Sequence, residues 1–327
     1  MNILIVGIGS IGTRYFKILK KLGNYNIFAL RSGKGNNYHK ERHKGLSSIY
    51  CFDEINNKNI ERVLITNPTN LHLNTMKKCM KYKCPIFIEK PLADNLNSIY
   101  SYYNIINEYK PKITVGYVLR FHNLFIKLKE LLQNKVIGNI VLSNMKVGHY
   151  LKYWHEYEDY RKVYYSQKKL GGGAIRTLSH EIDLCLFLFK KPDNVFGVVK
   201  KISNLEIDVD DYAMINMEIG NMVVNIEMNY LEPELIRKGE ILGTEGKITY
   251  DFVEGIIKLT KYGIENETVF KYKGKEYDLM YERQMDYFLN NTNYTKTGDI
   301  YSGITVMEVI DAAEKSNKTG KRVDING

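Results

Sequence analysis

Three places in the sequence carry residue types whose spacing bears on chemistry. The first is Gly7-Ile8-Gly9-Ser10-Ile11-Gly12, a G-x-G-x-x-G. In such a turn the first glycine allows the tight bend and the second lets a diphosphate approach the backbone. The third lets helix and strand pack closely. A helix opening at Ser10 and Ile11 offers free N–H groups and a positive dipole end to phosphates. The second place is Glu89-Lys90-Pro91, where the proline holds Lys90 extended. The third is His180 and Asp183, three residues apart on an expected helix, so their side chains share a face. A carboxylate there can fix the imidazole tautomer and support its charged form. Dehydrogenation at a carbinol needs a base for the hydroxyl proton while hydride leaves to a cofactor. Taken alone, Lys90 reads as a surface lysine before a turn and His180 as a helix histidine capped by its neighbour.

The elements that would position these groups follow from hydrophobic pattern. Ile3 to Val6 is an apolar, β-branched run, as in a parallel strand buried on both faces. Ile11, Tyr15, Ile18, Leu19 and Leu22 then recur at helical spacing, with Gly23 at the capping position. Strand–helix alternation continues through Asn26–Leu30, Arg62–Thr66, a helix ending near Tyr82, Pro85–Ile88, a helix over about 96–109 and Ile113–Tyr117. This predicts a doubly wound parallel sheet whose ligands lie beyond the carboxyl ends of the strands. Thr66, Glu89, Lys90 and Tyr117 fall at such ends. Beyond Arg120 come a helix over about 123–133, a strand at 140–148, and one helix from the run Gly171-Gly172-Gly173 through Phe189. From Val195 to about Leu259 the chain alternates apolar and polar, which predicts an antiparallel sheet with one face covered. The expected domains are 1–120 and 121–327, with a last helix at about 300–316 packing back on the first. An NAD-selecting acid belongs about 20 residues past the fingerprint, yet Arg31, Ser32 and Lys34 stand there. A guanidinium and a hydroxyl bind a ribose 2′-phosphate by charge-assisted hydrogen bonds, so the pattern favours NADP(H) over NAD(H).

With 47 Lys and Arg against 37 Asp and Glu, the 327-residue chain carries a formal charge of +10, spread along its length. A surface suited to anionic cofactors accounts for that, and no nucleic-acid module is present. Cys51, Cys79, Cys84 and Cys185 form no C-x-x-C pair and no metal-ligand pattern, which suits a reducing cytoplasm. The chain enters a strand at once, leaving no room for a signal peptide. Its longest apolar run, Leu184 to Phe189, is far too short to span a membrane. A cytoplasmic protein without nucleic-acid or membrane partners is expected.

The chain resembles the Gfo/Idh/MocA oxidoreductase family, the glucose-fructose oxidoreductase and inositol dehydrogenase relatives. The residues that carry the likeness are Gly7–Gly12, Thr66-Asn67-Pro68-Thr69-Asn70-Leu71-His72, Glu89-Lys90-Pro91, Gly116–Phe121, Gly171–Gly173 leading to His180–Asp183, and Gly243–Gly246. The resemblance implies an α/β fold: a Rossmann domain followed by an α/β domain with an open, mostly antiparallel sheet. It also implies homodimers or homotetramers formed through that sheet, and hydride transfer between NAD(P) and a sugar-type substrate. It places Lys90 where the family positions or protonates the substrate oxygen, and His180 at the catalytic acid/base. It adds Thr66, Asn67, Pro68, His72 and Glu89 to the cofactor side, with His72 orienting the loop before it. Tyr117, Arg120, Trp154, His155, Tyr160, Arg161 and Thr177 are candidates to line the sugar site. Thr177 stands near the commoner Asp of the family and alters the local charge. The segment from Tyr153 to Gly173 is similar to a branch serving bacterial surface-sugar biosynthesis. Three functions are consistent with these residues: an NADP(H)-dependent sugar oxidoreductase, a redox-neutral enzyme using transient oxidation, and a non-catalytic nucleotide sensor.

Overall fold

The computed structural model describes residues 1–33, 46–109, 112–154, 158–264, 267–272, 276–294 and 298–325. Among these, the chain divides into two compact units, Met1–Val118 with Tyr277–Ile304, and Leu119–Glu276 with Thr305–Gly327.

The first unit is built on six strands, β1 (Asn2–Val6), β2 (Asn26–Leu30), β3 (Ser47–Ile49), β4 (Arg62–Ile65), β5 (Ile86–Ile88) and β6 (Ile113–Val115). All pair in parallel, in the order β3-β2-β1-β4-β5-β6. The order reverses at β1, so the crevice beyond the ends of β1 and β4 is where such sheets bind ligands. Ile3, Leu4 and Ile5 are wholly buried, each contributing about 1.5–3 kcal/mol of transfer free energy. Helix α1 (Ser10–Leu22) lays Tyr15, Phe16, Ile18 and Leu19 on the sheet. Further helices are α2 (His72–Cys79), α3 (Leu96–Ser101) and α4 (Tyr103–Tyr109). The sequence pattern over 96–109 reads as one helix; the structure breaks it at Tyr102.

The second unit carries α5 (Asn123–Gln133), then β7 (Ile140–Gly148), α6 (Ala174–Thr177) and α7 (His180–Leu188). The single helix expected from the glycine run through Phe189 is thus two, interrupted at Leu178 and Ser179. Next come β8 (Asn194–Lys200), β9 (Tyr212–Ile219), β10 (Met222–Asn229), β11 (Ile236–Gly243), β12 (Gly246–Asp251), β13 (Ile256–Lys261) and β14 (Glu267–Lys271). Helices α8 (Glu276–Asn290) and α9 (Ile300–Thr319) and strand β15 (Val323–Asp324) complete the chain. The order is β14-β13-β12-β11-β7-β10-β9-β8-β15, antiparallel except where β7 and β10 run parallel. The fold is therefore α/β, a Rossmann-type parallel sheet followed by an open, mostly antiparallel one. Alternate residues such as Ile215, Met217, Val224 and Ile226 are buried on one face of that second sheet.

Within the first unit, α8 from Tyr277 onward lies beside α1 on the sheet: Phe288 meets Phe87 at 5.6 Å and Tyr281 meets Tyr15 at 6.0 Å. In the second unit, α9 packs so closely on β8 that a Cβ on Gly197 would lie 2.7 Å from Ala313.

Candidate active site

The glycine turn differs at each of its three positions. Gly7 has φ +94°, and a Cβ there would lie 2.7 Å from the backbone nitrogen of Asn67. At Gly12 a Cβ would lie 2.3 Å from the Gly7 carbonyl and 2.9 Å from Thr66 Oγ1, so the third glycine brings α1 onto the strand ends. At Gly9 a Cβ would meet nothing within 4 Å. Helix α1 begins there with no side-chain cap and no acid in its first turn. The N–H groups at Ser10, Ile11 and Gly12 and the positive helix end therefore suit a diphosphate, and the cradle fits the dinucleotide that the motif implies. Thr66, at the end of β4, donates its hydroxyl to the Gly7 carbonyl at 2.5 Å. Asn67 donates to Thr75 Oγ1 at 2.8 Å, and Pro68 leads into the turn that opens α2. His72 is buried, with Nδ1 2.9 Å from the Pro91 carbonyl and Nε2 2.9 Å from that of Asn67. Burial pushes its pKa down to about 4, so at neutral pH the ring donates one N–H to one of the two carbonyls. His72 thereby ties the loop after β4 to the segment after β5.

Glu89 and Lys90 follow β5, next to β4 in the sheet. The Glu89 carboxyl is buried and accepts from Tyr15 Oη at 2.5 Å and from the Lys90 backbone N–H at 3.1 Å. Burial pushes its pKa up, against the pull of Tyr15 and Lys90. The Lys90 side chain is half-buried. Arg31 follows β2, its backbone N–H bonded to Ile49 and its guanidinium 3.4 Å from Ser48 Oγ. Ser32 is exposed, and no carboxylate lies among residues 31–33. Lys34 lies outside the described residues, as do His39, His43, His155 and Glu156. Tyr117 is wholly buried at the end of β6.

In the second unit, His180 is the first residue of α7 and Asp183 lies in its first turn, so the two share a helix face as the spacing predicts. The Asp183 carboxylate is gripped by Arg120, with Nε at 2.9 and 3.1 Å and the second nitrogen at 2.6 Å. Side-chain exposures of 8% and 1% make this a buried pair, and breaking one costs about 3–5 kcal/mol. Arg120 also lies 5.5 Å from the Phe187 ring. Thr177 is buried and hydrogen-bonded to the Tyr230 side chain. Trp154 packs against Tyr165 and Tyr230, each at 5.2 Å, and donates Nε1 to the His149 carbonyl at 3.1 Å. Arg161 is half exposed and pairs with Asp159 at 2.8 Å and Glu206 at 3.3 Å, lining a surface depression of about 350 Å³.

Residues 1–117 match the oxidoreductase family model with an NAD-binding Rossmann fold, and residues 125–249 match the GFO/IDH/MocA C-terminal domain. The chain belongs to the GFO/IDH/MocA family. Among curated proteins, it is 29% identical over 141 residues to a myo-inositol 2-dehydrogenase of Thermotoga maritima, an alignment covering 42% of each chain. It is 23% identical over 284 residues to a 2,7-anhydro-N-acetylneuraminate hydratase of Escherichia coli, covering 82% of this chain and 73% of that one. A solved levoglucosan dehydrogenase, in complex with NADH and L-sorbose, superposes with TM-score 0.85 at 17% identity, over 100% of this chain and 99% of that one. That last likeness speaks to the fold.

As a GFO/IDH/MocA oxidoreductase, the chain presents its family motifs at the strand ends of the first unit and on α7 of the second. Sequence reading missed three residues that hold these motifs. Tyr15 counts there as one more member of an apolar stripe. Gln284, 3.2 Å from the Tyr15 hydroxyl, is 269 residues away in sequence. Asp210 accepts from the Ile175 N–H at 2.9 Å, and a Cβ on Gly173 would lie 2.2 Å from its Oδ1. The one available signal for Asp210 is the acidic pair Asp210-Asp211 opening an alternating strand. Among the described residues there is no group of three or more His, Cys, Asp or Glu able to hold a metal, and no helix long and apolar enough to cross a membrane.

Proposed function

We propose that the protein is an NADP(H)-preferring oxidoreductase that moves hydride between nicotinamide and a CH–OH carbon of a sugar or nucleotide-linked sugar. The observation that carries this reading is the juxtaposition at the ends of β1, β4 and β5: an open Gly9 cradle, the Thr66–Asn67 turn and the Glu89–Lys90 pair. Bound there, the nicotinamide supplies the hydride acceptor or donor. Gly9, Ser10, Ile11 and Gly12 hold the diphosphate through backbone N–H groups, and His72 keeps the Asn67 loop in register with Pro91. In reduction Lys90 would give its proton to the substrate oxygen as the carbon gains hydride, and in oxidation its neutral amine would take the hydroxyl proton as hydride leaves. His180 serves as the second acid/base, and Asp183, fixed by Arg120, sets the face of α7 on which it stands. Trp154, partly exposed and backed by the buried Tyr165 and Tyr230, offers an aromatic face on which a pyranose ring can pack. Arg31 and Ser32, in place of an acid after β2, support the preference for a 2′-phosphate. The likeness of residues 153–173 to surface-sugar enzymes supports a role in surface-glycan biosynthesis, in the cytoplasm.

The hydratase among the relatives favours a second reading, in which transient oxidation and re-reduction leave the cofactor unchanged overall. Titration with NADPH and NADH, followed by cofactor fluorescence, tests the first reading. NADPH is expected to bind about tenfold or more tightly, equivalent to ~1.4 kcal/mol, and Arg31→Ala to erase the difference. Equal binding removes the 2′-phosphate argument. Lys90→Met is expected to keep cofactor binding and lose turnover; retained turnover removes Lys90 from the chemistry. Conversion of substrate without net cofactor change selects the second reading.

A further inference from the structure

We infer that Tyr15 and Gln284 are positioning residues that together hold the Glu89 carboxylate in its charged form beside Lys90. Its bearing on catalysis rests on the reading of Lys90 given above. The three side chains belong to the first unit and are 0%, 3% and 8% exposed for Tyr15, Gln284 and Glu89. Tyr15 Oη lies 2.5 Å from Glu89 Oε1 and 3.2 Å from Gln284 Oε1, while Gln284 Nε2 is buried without a partner. A phenol has one proton. Once Tyr15 donates it to Glu89, its oxygen must accept, and turning the Gln284 amide brings Nε2 to that oxygen and gives the buried donor its bond. A directed chain results: Gln284 N–H to Tyr15 O, Tyr15 O–H to Glu89 Oε1, and Lys90 N–H to Glu89 Oε2 at 3.1 Å. An O–H···O contact of 2.5 Å falls in the range of charge-assisted bonds to a carboxylate.

The cationic groups around the carboxylate act in the same direction. Arg14 and Lys90 are its cationic neighbours, and Tyr281 on α8 is a further titratable group beside it among the described residues. On the β6 side stands Gly116, where a Cβ would lie 2.8 Å from Oε1, so the chain leaves that space to the carboxylate. Burial alone favours the neutral acid and pushes the carboxyl up; the Tyr15 and Lys90 donors and the nearby cations oppose that rise. Without the Tyr15 hydroxyl the carboxyl takes up a proton more readily, and Lys90 loses an anionic neighbour that stabilises its ammonium form. The amine of Lys90 is then freed at lower pH.

The test labels the full-length protein with a water-soluble N-hydroxysuccinimide acetate over a pH series and quantifies Lys90 acetylation by peptide mass spectrometry. Acetylation requires the free amine, so the midpoint of its pH dependence reports Lys90 directly, without a substrate. Tyr15→Phe is expected to move the midpoint down by about one pH unit, and Gln284→Leu by roughly half as much. A midpoint unchanged or raised in both variants overturns the inference. If Tyr15→Phe does not fold, the Gln284→Leu midpoint decides alone. NADH fluorescence checks that each variant keeps the cofactor cradle. If the midpoints shift but Lys90→Met still turns over, the positioning stands and the assignment of Lys90 as the acid fails.

Discussion

Gly9 and Gly12 are three residues apart, and what surrounds each gives them opposite expectations on substitution. Gly9 has φ −73° and an open Cβ position, so alanine fits without strain and removes some freedom from the unfolded chain. Gly9→Ala is expected to leave the melting temperature unchanged or slightly raised while weakening NADH or NADPH binding about tenfold or more, because the added methyl stands where a diphosphate approaches. Gly12→Ala places a methyl 2.3 Å from a backbone carbonyl and is expected to cost about 1–3 kcal/mol of stability, read by urea denaturation. Binding and folding separate only if the two glycines act as the turn geometry says. Gly9→Ala with unaltered affinity would remove the diphosphate from this turn. The fingerprint was legible because each glycine answers a local need. Arg120 was not: its partner Asp183 is 63 residues away, and an arginine after a strand reads as well for a substrate carboxylate as for a buried one.

Helix α6 has only four residues, and its start depends on a side chain from elsewhere in the unit. Asp210 accepts the Ile175 N–H through its carboxylate and the Ala174 N–H through its carbonyl, and Gly173, at φ +115°, makes room for it. Asp210→Ala leaves that helix end uncapped, at an expected cost of about 1–2 kcal/mol. Burial pushes the Asp210 carboxyl up to about 6 from its ordinary 3.8, with Arg176 opposing and Glu314 adding to the rise. A folded-state value above the unfolded one means that the native state is favoured at low pH and penalised as pH rises through 6. The penalty is at most about 3 kcal/mol. Asp210→Asn keeps an acceptor and does not titrate. Its stability relative to the parent is expected to rise between pH 4 and pH 7, as measured by denaturant midpoints at each pH; a flat difference would refute the charge argument. Elements of this kind mark the limit of sequence reading. Strands β1, β2, β4 and β5 were visible as apolar runs, and the alternation of β9 and β10 fixed their buried face. The break between α6 and α7 was not, since Leu178 and Ser179 suit a helix. Nor was α8, whose polar residues interrupt an apolar stripe that only the sheet and α1 complete.

Association of whole chains is an expectation that the second sheet makes testable. Strand alternation buries Met145, Ile215 and Ile226 on one face, and on the other the register aligns Leu142 with Val223 and Leu242. Across the middle of that second face runs a chain of amides: Asn216 donates to Asn225 Oδ1 at 2.7 Å, and Asn225 donates to Asn144 Oδ1 at 2.8 Å. Lys146 with Glu227 and Glu232, and Lys247 with Glu240, flank it. A face that mixes apolar side chains with paired amides and ion pairs has the composition of a protein interface. If a second copy covers it about a two-fold axis, each residue near that axis meets its own counterpart. Sedimentation equilibrium is then expected to give twice the 38.1 kDa chain mass or a higher even multiple. Asn225→Lys would set like charges against each other in the middle of the contact and break the amide chain, while its own strand pairing through the backbone is untouched. The variant is expected to sediment as a monomer with an unchanged circular dichroism spectrum. A wild-type monomer at tens of micromolar, or a variant that stays associated, would show that copies of this chain do not meet through this face.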